Sequence, residues 1–162
     1  MAVADDIFDR LKQDHDRHRE LFGQLEGTGA SDERGSLFEQ LTIELKSHAS
    51  AEEQALYSTM MRKPETTDET RHSVSEHHEI EVALNDLAAT DLGTDEWMEK
   101  FSDLKHEYLH HIDEEEEEHF PDFQRYLTRA DEEHMRDVFE RRKQAEAAHA
   151  EVTPERKEDA KE

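Results

Sequence analysis

Cysteine is absent from this 162-residue chain. That excludes disulfides, thiol nucleophiles, thiolate-bound zinc and iron–sulfur clusters. Long apolar runs are missing too. None exceeds four residues, which leaves no membrane-spanning helix and no signal-peptide core, and makes the cytoplasm the simplest expected location. Positive charge is scarce: Lys and Arg number 20 against 44 Asp and Glu, a formal net charge of −24. Such a surface repels polyanions, so neither nucleic acid nor an anionic membrane is an expected partner. Strong core formers are few. Leu, Ile, Val and Phe supply 29 of 162 residues, below the level of roughly a fifth at which a highly charged chain is expected to be disordered.

Periodicity overturns that expectation. Phe8, Leu11, His15, His18, Phe22 and Leu25 recur at steps of three and four, one face of a helix. Three more such faces follow: Phe38, Leu41, Leu45, His48 and Glu52; Val74, His77, Ile80, Leu84 and Leu87; Trp97, Phe101, Leu104, Tyr108, His111 and Glu115. Gly27, Gly29, Ser31, Asp32 and Gly35 mark the first loop. Pro64, with Thr66, Thr67 and Asp68, ends the second helix and caps the third. Thr90, Asp91, Gly93 and Thr94 form the next turn, and Pro121 closes the fourth helix. A mostly polar fifth helix is expected from about Asp131 to Ala148, with Met135, Val138 and Phe139 as its apolar contacts. The predicted fold is all-α: an up-down-up-down four-helix bundle over residues 1–128, an additional C-terminal helix over 129–150 and a disordered tail over 151–162.

The bundle is predicted to consist of two pseudo-symmetric helical hairpins. Phe38, Leu41, Leu45, His48, Glu52 and Tyr57 match Phe101, Leu104, Tyr108, His111, Glu115 and Phe120, each 63 residues later, and His15 matches His77 at an offset of 62. Counting from the loops at ~1.5 Å per residue places His15, His48, Glu52, His77, His111 and Glu115 in one layer of the core. Buried carboxylates without partners cost several kcal/mol. Four imidazoles and two carboxylates can be satisfied together by a metal of the iron, manganese or zinc kind. The spacing His-x-x-x-Glu alone is a weak signal in so acidic a chain. Its coincidence with the apolar faces and with the duplication is the informative one. The competing reading is a layer of ordinary core histidines hydrogen-bonded to glutamate.

The stretches "DHDRHRELFGQLE", "SHASAEEQALY", "EHHEIEVALNDL" and "HHIDEEEEEHFPDF" resemble the hemerythrin-like, HHE cation-binding family, over most of residues 8–123. The resemblance implies two iron ions with an oxo or hydroxo bridge, His15, His48, His77 and His111 as terminal ligands, and Glu52 and Glu115 as bridges. It implies a small-molecule ligand such as O2, peroxide or nitric oxide. One departure is plain. Oxygen-carrying members have a fifth histidine where this chain has Ser73, which leaves two coordination positions open in place of one unless His18, His78 or Glu81 supplies a further ligand. Ligand entry is expected through an apolar pocket lined by Phe22, Leu45, Leu84 or Tyr108. Glu53 and Glu116 are expected to hydrogen-bond the centre, and His72, His106, His119, His134 and His149 to be solvated or structural. The functional expectation is O2 binding, storage or sensing. The alternatives are an enzyme removing peroxide or nitric oxide and an iron-responsive interaction module.

Overall fold

A computed structural model describes residues 5–29 and 32–149. Five long helices carry the fold: α1 (Ile7–Glu26), α2 (Asp32–Glu52), α3 (Thr67–Ala88), α4 (Asp95–Glu114) and α5 (Arg129–His149). No strand occurs among the described residues. α2 and α4 each continue through a π-helical turn, Glu53–Tyr57 and Glu115–His119, into a short helical end, Ser58–Met60 and Phe120–Gln124. α1 packs on α2 and α3 on α4. Contacts of α2 with α3 and of α1 with α4 close the four-helix ring. The predicted tail, 151–162, lies outside the described residues.

The helix starts follow local chemistry. Asp6 accepts a hydrogen bond from the Asp9 amide (2.8 Å), and Thr94 accepts one from the Trp97 amide (3.2 Å). Each satisfies an amide that the first turn leaves free. Three local expectations are corrected. Gly35 lies inside α2, not in a loop. A Cβ there would meet Leu92 at 3.5 Å, so the glycine sits where a neighbouring loop crosses close to the helix. Pro121 does not close the fourth helix. It opens the Phe120–Gln124 segment, where the switch from π to α pairing tolerates its missing N–H as a helix start does. Thr66 precedes α3 without capping it by its side chain. Its hydroxyl donates instead to the Met60 carbonyl at 2.7 Å.

A polar layer divides the core in two. On one side Phe22, Leu41, Leu84, Trp97, Phe101 and Leu104 belong to one apolar cluster; on the other Ile7, Phe8, Leu11, Leu56, Phe120 and Phe123 belong to a second. α5 lies along α2 and touches α1. It buries Met135 and Phe139. Arg10 packs over the Phe139 ring at 5.2 Å and pairs with Glu140. Lys143 reaches Asp14 (2.8 Å) and Glu44 (3.1 Å).

Candidate metal centre

All six predicted site residues lie in the layer between the two apolar clusters, and each is buried. The helices place them by the i, i+4 step: His48 with Glu52 and His111 with Glu115 share a face one turn apart. His15 and His77 arrive from α1 and α3.

Each imidazole is held from behind by a carboxylate of the next helix. His48 Nδ1 donates to Asp14 of α1 (2.8 Å) and His77 Nδ1 to Glu53, just after α2 (2.9 Å). His111 Nδ1 donates to Glu76 of α3 (2.7 Å) and His15 Nδ1 to Glu116, just after α4 (2.7 Å). The four bonds form a closed cycle around the bundle. Hydrogen bonding lowers the pKa of Asp14, Glu76 and Glu116 against the opposing effect of burial, so each stays charged. A proton fixed on Nδ1 leaves the Nε2 lone pair aimed inward, the arrangement in which histidine ligates a metal.

Six of the inward atoms have no hydrogen-bond partners. His15 Nε2, His48 Nε2, His111 Nε2, both Glu52 oxygens and Glu115 Oε1 are buried and unsatisfied. Leaving such atoms bare costs about 1–3 kcal/mol each. They cluster as two groups. Glu52, His77, His111 and Glu115 form one, and His15, His48 and Glu52 form the other, with ligating atoms within 4.8 Å of one another in each. His77 Nε2 is 3.1 Å from Glu52 and His111 Nε2 is 3.2 Å from Glu115. His15 Nε2 lies 3.5 Å from Glu115 and His48 Nε2 lies 3.7 Å from Glu52. Donors about 2.1 Å from a common ion sit about 3.0–3.4 Å apart, so the set fits metal.

Electrostatics show what the layer lacks without a cation. Burial and the adjacent Glu115 push Glu52 upward. Burial opposes charge on Glu115 as well, but His111 and His15 hold its pKa down. Burial works against protonating His15 and His111, yet Glu115 and their anchoring glutamates raise both to about 9. Burial drives His48 down to about 3 despite Asp14. Glu115 thus draws positive charge to this layer, which a cation at the Nε2 lone pairs would supply in place of protons.

The sequence model of the Hemerythrin HHE cation binding domain matches residues 6–123. The chain belongs to the hemerythrin HHE cation-binding family. A solved structure, a hemerythrin HHE cation binding domain-containing protein from Mycobacterium kansasii, shares the fold with a TM-score of 0.79 and 22% identity, covering 90% of this chain and 89% of that one. No curated protein matches the sequence significantly.

In this hemerythrin domain the remaining candidates stand beside the six, the His18 ring 5.0 Å from that of His48. His18 bonds Tyr108 through Nδ1 (2.7 Å) and faces Glu44 through Nε2 (3.4 Å). It also groups with Asp14 and His48, but Asp14 is already bound by Arg10, Lys143 and His48. His78 and Glu81 line a cavity of about 540 Å³ between α2 and α3, which reaches His48 and His77 past Leu45, Ile80, Leu84 and Tyr108. Phe22 is not among its lining residues. It is stacked against Tyr108. Glu53 and Glu116 bond the histidines as expected. Asp14 and Glu76 do the same and were not anticipated. Tyr57 is buried and donates its hydroxyl to Glu115. Of the histidines expected to be solvated or structural, His119 is buried.

Proposed function

We propose that this chain is a non-haem di-iron protein that binds O2 or a related small oxidant. One observation carries the reading: four histidines, each anchored at Nδ1 by a neighbouring helix, turn unpartnered Nε2 atoms or carboxylate-facing ones onto two buried glutamates. In this reading His77 and His111 would hold one iron and His15 and His48 the other, with Glu52 and Glu115 available to both. Bound iron would supply the electrons that reach an oxidant. The chain's own contribution is positional. Carboxylate anchors fix the imidazoles, the Tyr57 hydroxyl fixes Glu115, and the apolar clusters keep bulk water from the layer. The cavity between α2 and α3 gives a small molecule a path to His48 and His77. The reading treats 1–128 as the iron-binding bundle and 129–150 as a helix added to it.

Ser73 favours a second reading, an enzyme that removes peroxide or nitric oxide. It stands where oxygen carriers of the family resembled have a histidine, and its hydroxyl bonds His119 (3.0 Å). Metal analysis and optical spectra decide. The purified chain is expected to hold two iron ions, with a ferric charge-transfer band that changes reversibly when the reduced protein meets O2. His111→Ala is expected to lose iron while remaining helical. Rapid consumption of added peroxide moves the assignment to the enzyme. A chain that takes up no iron overturns both.

A further inference from the structure

A second set of ligating groups lies on the outer side of the α3–α4 hairpin. His72 Nε2 is 3.0 Å from Glu114 Oε1 and 3.3 Å from Glu76 Oε2. His119 brings its Nε2 to 3.5 Å from the same Glu114 oxygen. His119 is no loose surface group. Its side chain is 7% exposed and stacks on Phe123. Its Nδ1 is engaged by Ser73 at 3.0 Å, which aims Nε2 at Glu114. Glu114 Oε1 is buried and has no hydrogen-bond partner.

We propose that His72, Glu76 and Glu114, whose ligating atoms lie within 4.8 Å of one another, form a second site for a divalent transition cation of the Zn2+ or Fe2+ kind, with His119 beside Glu114 to orient its carboxylate. The donor set is one imidazole and two carboxylates, which suits such an ion better than a hard cation such as Ca2+. Ligands about 2.0–2.1 Å from a tetrahedral ion are about 3.3 Å apart, close to the two separations from His72 Nε2. Two helices contribute: His72 and Glu76 sit one turn apart on α3 and Glu114 ends α4, while His119 ends the following π turn. His72 is 53% exposed, so an ion can enter from solvent. None of these residues belongs to the inner six. Glu76 nevertheless touches both sets, since its Oε1 accepts from His111 while its Oε2 faces His72. Cation on the outer set would therefore share a carboxylate with an inner histidine. His110 Nε2, 3.8 Å from Glu114 Oε2, stands on the same side.

Zinc titration of the full chain, purified with its inner metal in place, tests this. Calorimetry and metal counts after gel filtration are expected to show one more zinc per chain in the wild type than in the double variant His72→Ala, His119→Gln. The exposed single variant His72→Ala should bind that zinc at least about tenfold more weakly with helicity unchanged, and it keeps the test open if the double variant misfolds. Iron counts are followed in parallel, so zinc exchange at the inner centre is seen separately. The comparison between wild type and variant holds whatever metal the inner centre carries. No extra zinc in the wild type, or zinc uptake by both variants equal to that of the wild type, overturns the proposal.

Discussion

At the scale of single residues, the anchors behind the histidines matter as much as the inward-facing groups. Asp14 is the most heavily used: it accepts from His48, Arg10 and Lys143 at once. Asp14→Ala removes the acceptor that orients His48 and leaves two cations facing each other across the gap. Metal affinity is expected to fall about 10–100-fold, measured as iron retained against a competing chelator. Asp14→Asn, which keeps a carbonyl acceptor, should lose less. Equal retention by wild type and Asp14→Ala would show that His48 needs no anchor. Away from the centre, Glu69 gives a pH signature. Partial burial, with Asp122 and Glu118 close by, raises it from 4.5 to about 7. The folded chain therefore holds this proton more tightly than the unfolded one. Its stabilising contribution is full below about pH 4.5 and is lost as pH rises through 7. Glu69→Gln should match the wild type at pH 5 and melt higher at pH 8. The difference should be no more than about 3 °C, because the group is largely solvated. A melting difference that does not change between the two pH values would contradict the assignment.

At the scale of elements, the repeated helix was legible because burial demands periodicity, and the metal-like layer because polar residues interrupted it in both copies. The π turns were not legible. Leu56 and Met60 follow Glu52 at steps of four, which an unbroken α-helix would use to keep its core face. Asp14 and Glu76 were hidden for a physical reason: among 44 acidic residues, two that turn inward look like the many that face water. Only the repeat distinguishes them, since Asp14 pairs with Glu76 at 62 residues just as His15 pairs with His77. The fifth helix was recognised as a helix, but its link to the centre was not. Lys143 reads as one more charge on a polar face, yet it ends on Asp14, and Phe139 meets the His48 ring at 5.6 Å. Removing residues 129–162 should expose the Met135 and Phe139 contacts. At about 1.5–3 kcal/mol for each buried side chain and about 2–4 °C per kcal/mol in a domain of this size, melting should fall by at least about 6 °C. Iron retention should fall as well, through Asp14. A truncated chain that melts and holds metal like the full one would make α5 a passenger.

At the scale of the whole molecule, a net charge of −24 and a core cut in two by a polar layer put stability under the control of cations. Two kinds of cation effect are separable. Ions gathered at the acidic surface act through screening, which sodium chloride supplies equally well. Ions inside the layer satisfy atoms that solvent does not reach, and added salt cannot replace them. Metal present at 100 times its dissociation constant stabilises a fold by about 2.7 kcal/mol, or about 5–10 °C here. The chelated chain is therefore expected to melt lower than the loaded chain by about that amount. In 0.5 M sodium chloride both should melt higher, because self-repulsion is screened, while the gap between them persists. A gap that closes in salt would place the stabilising cations on the surface and leave the bare atoms of Glu52, Glu115 and the histidines unexplained.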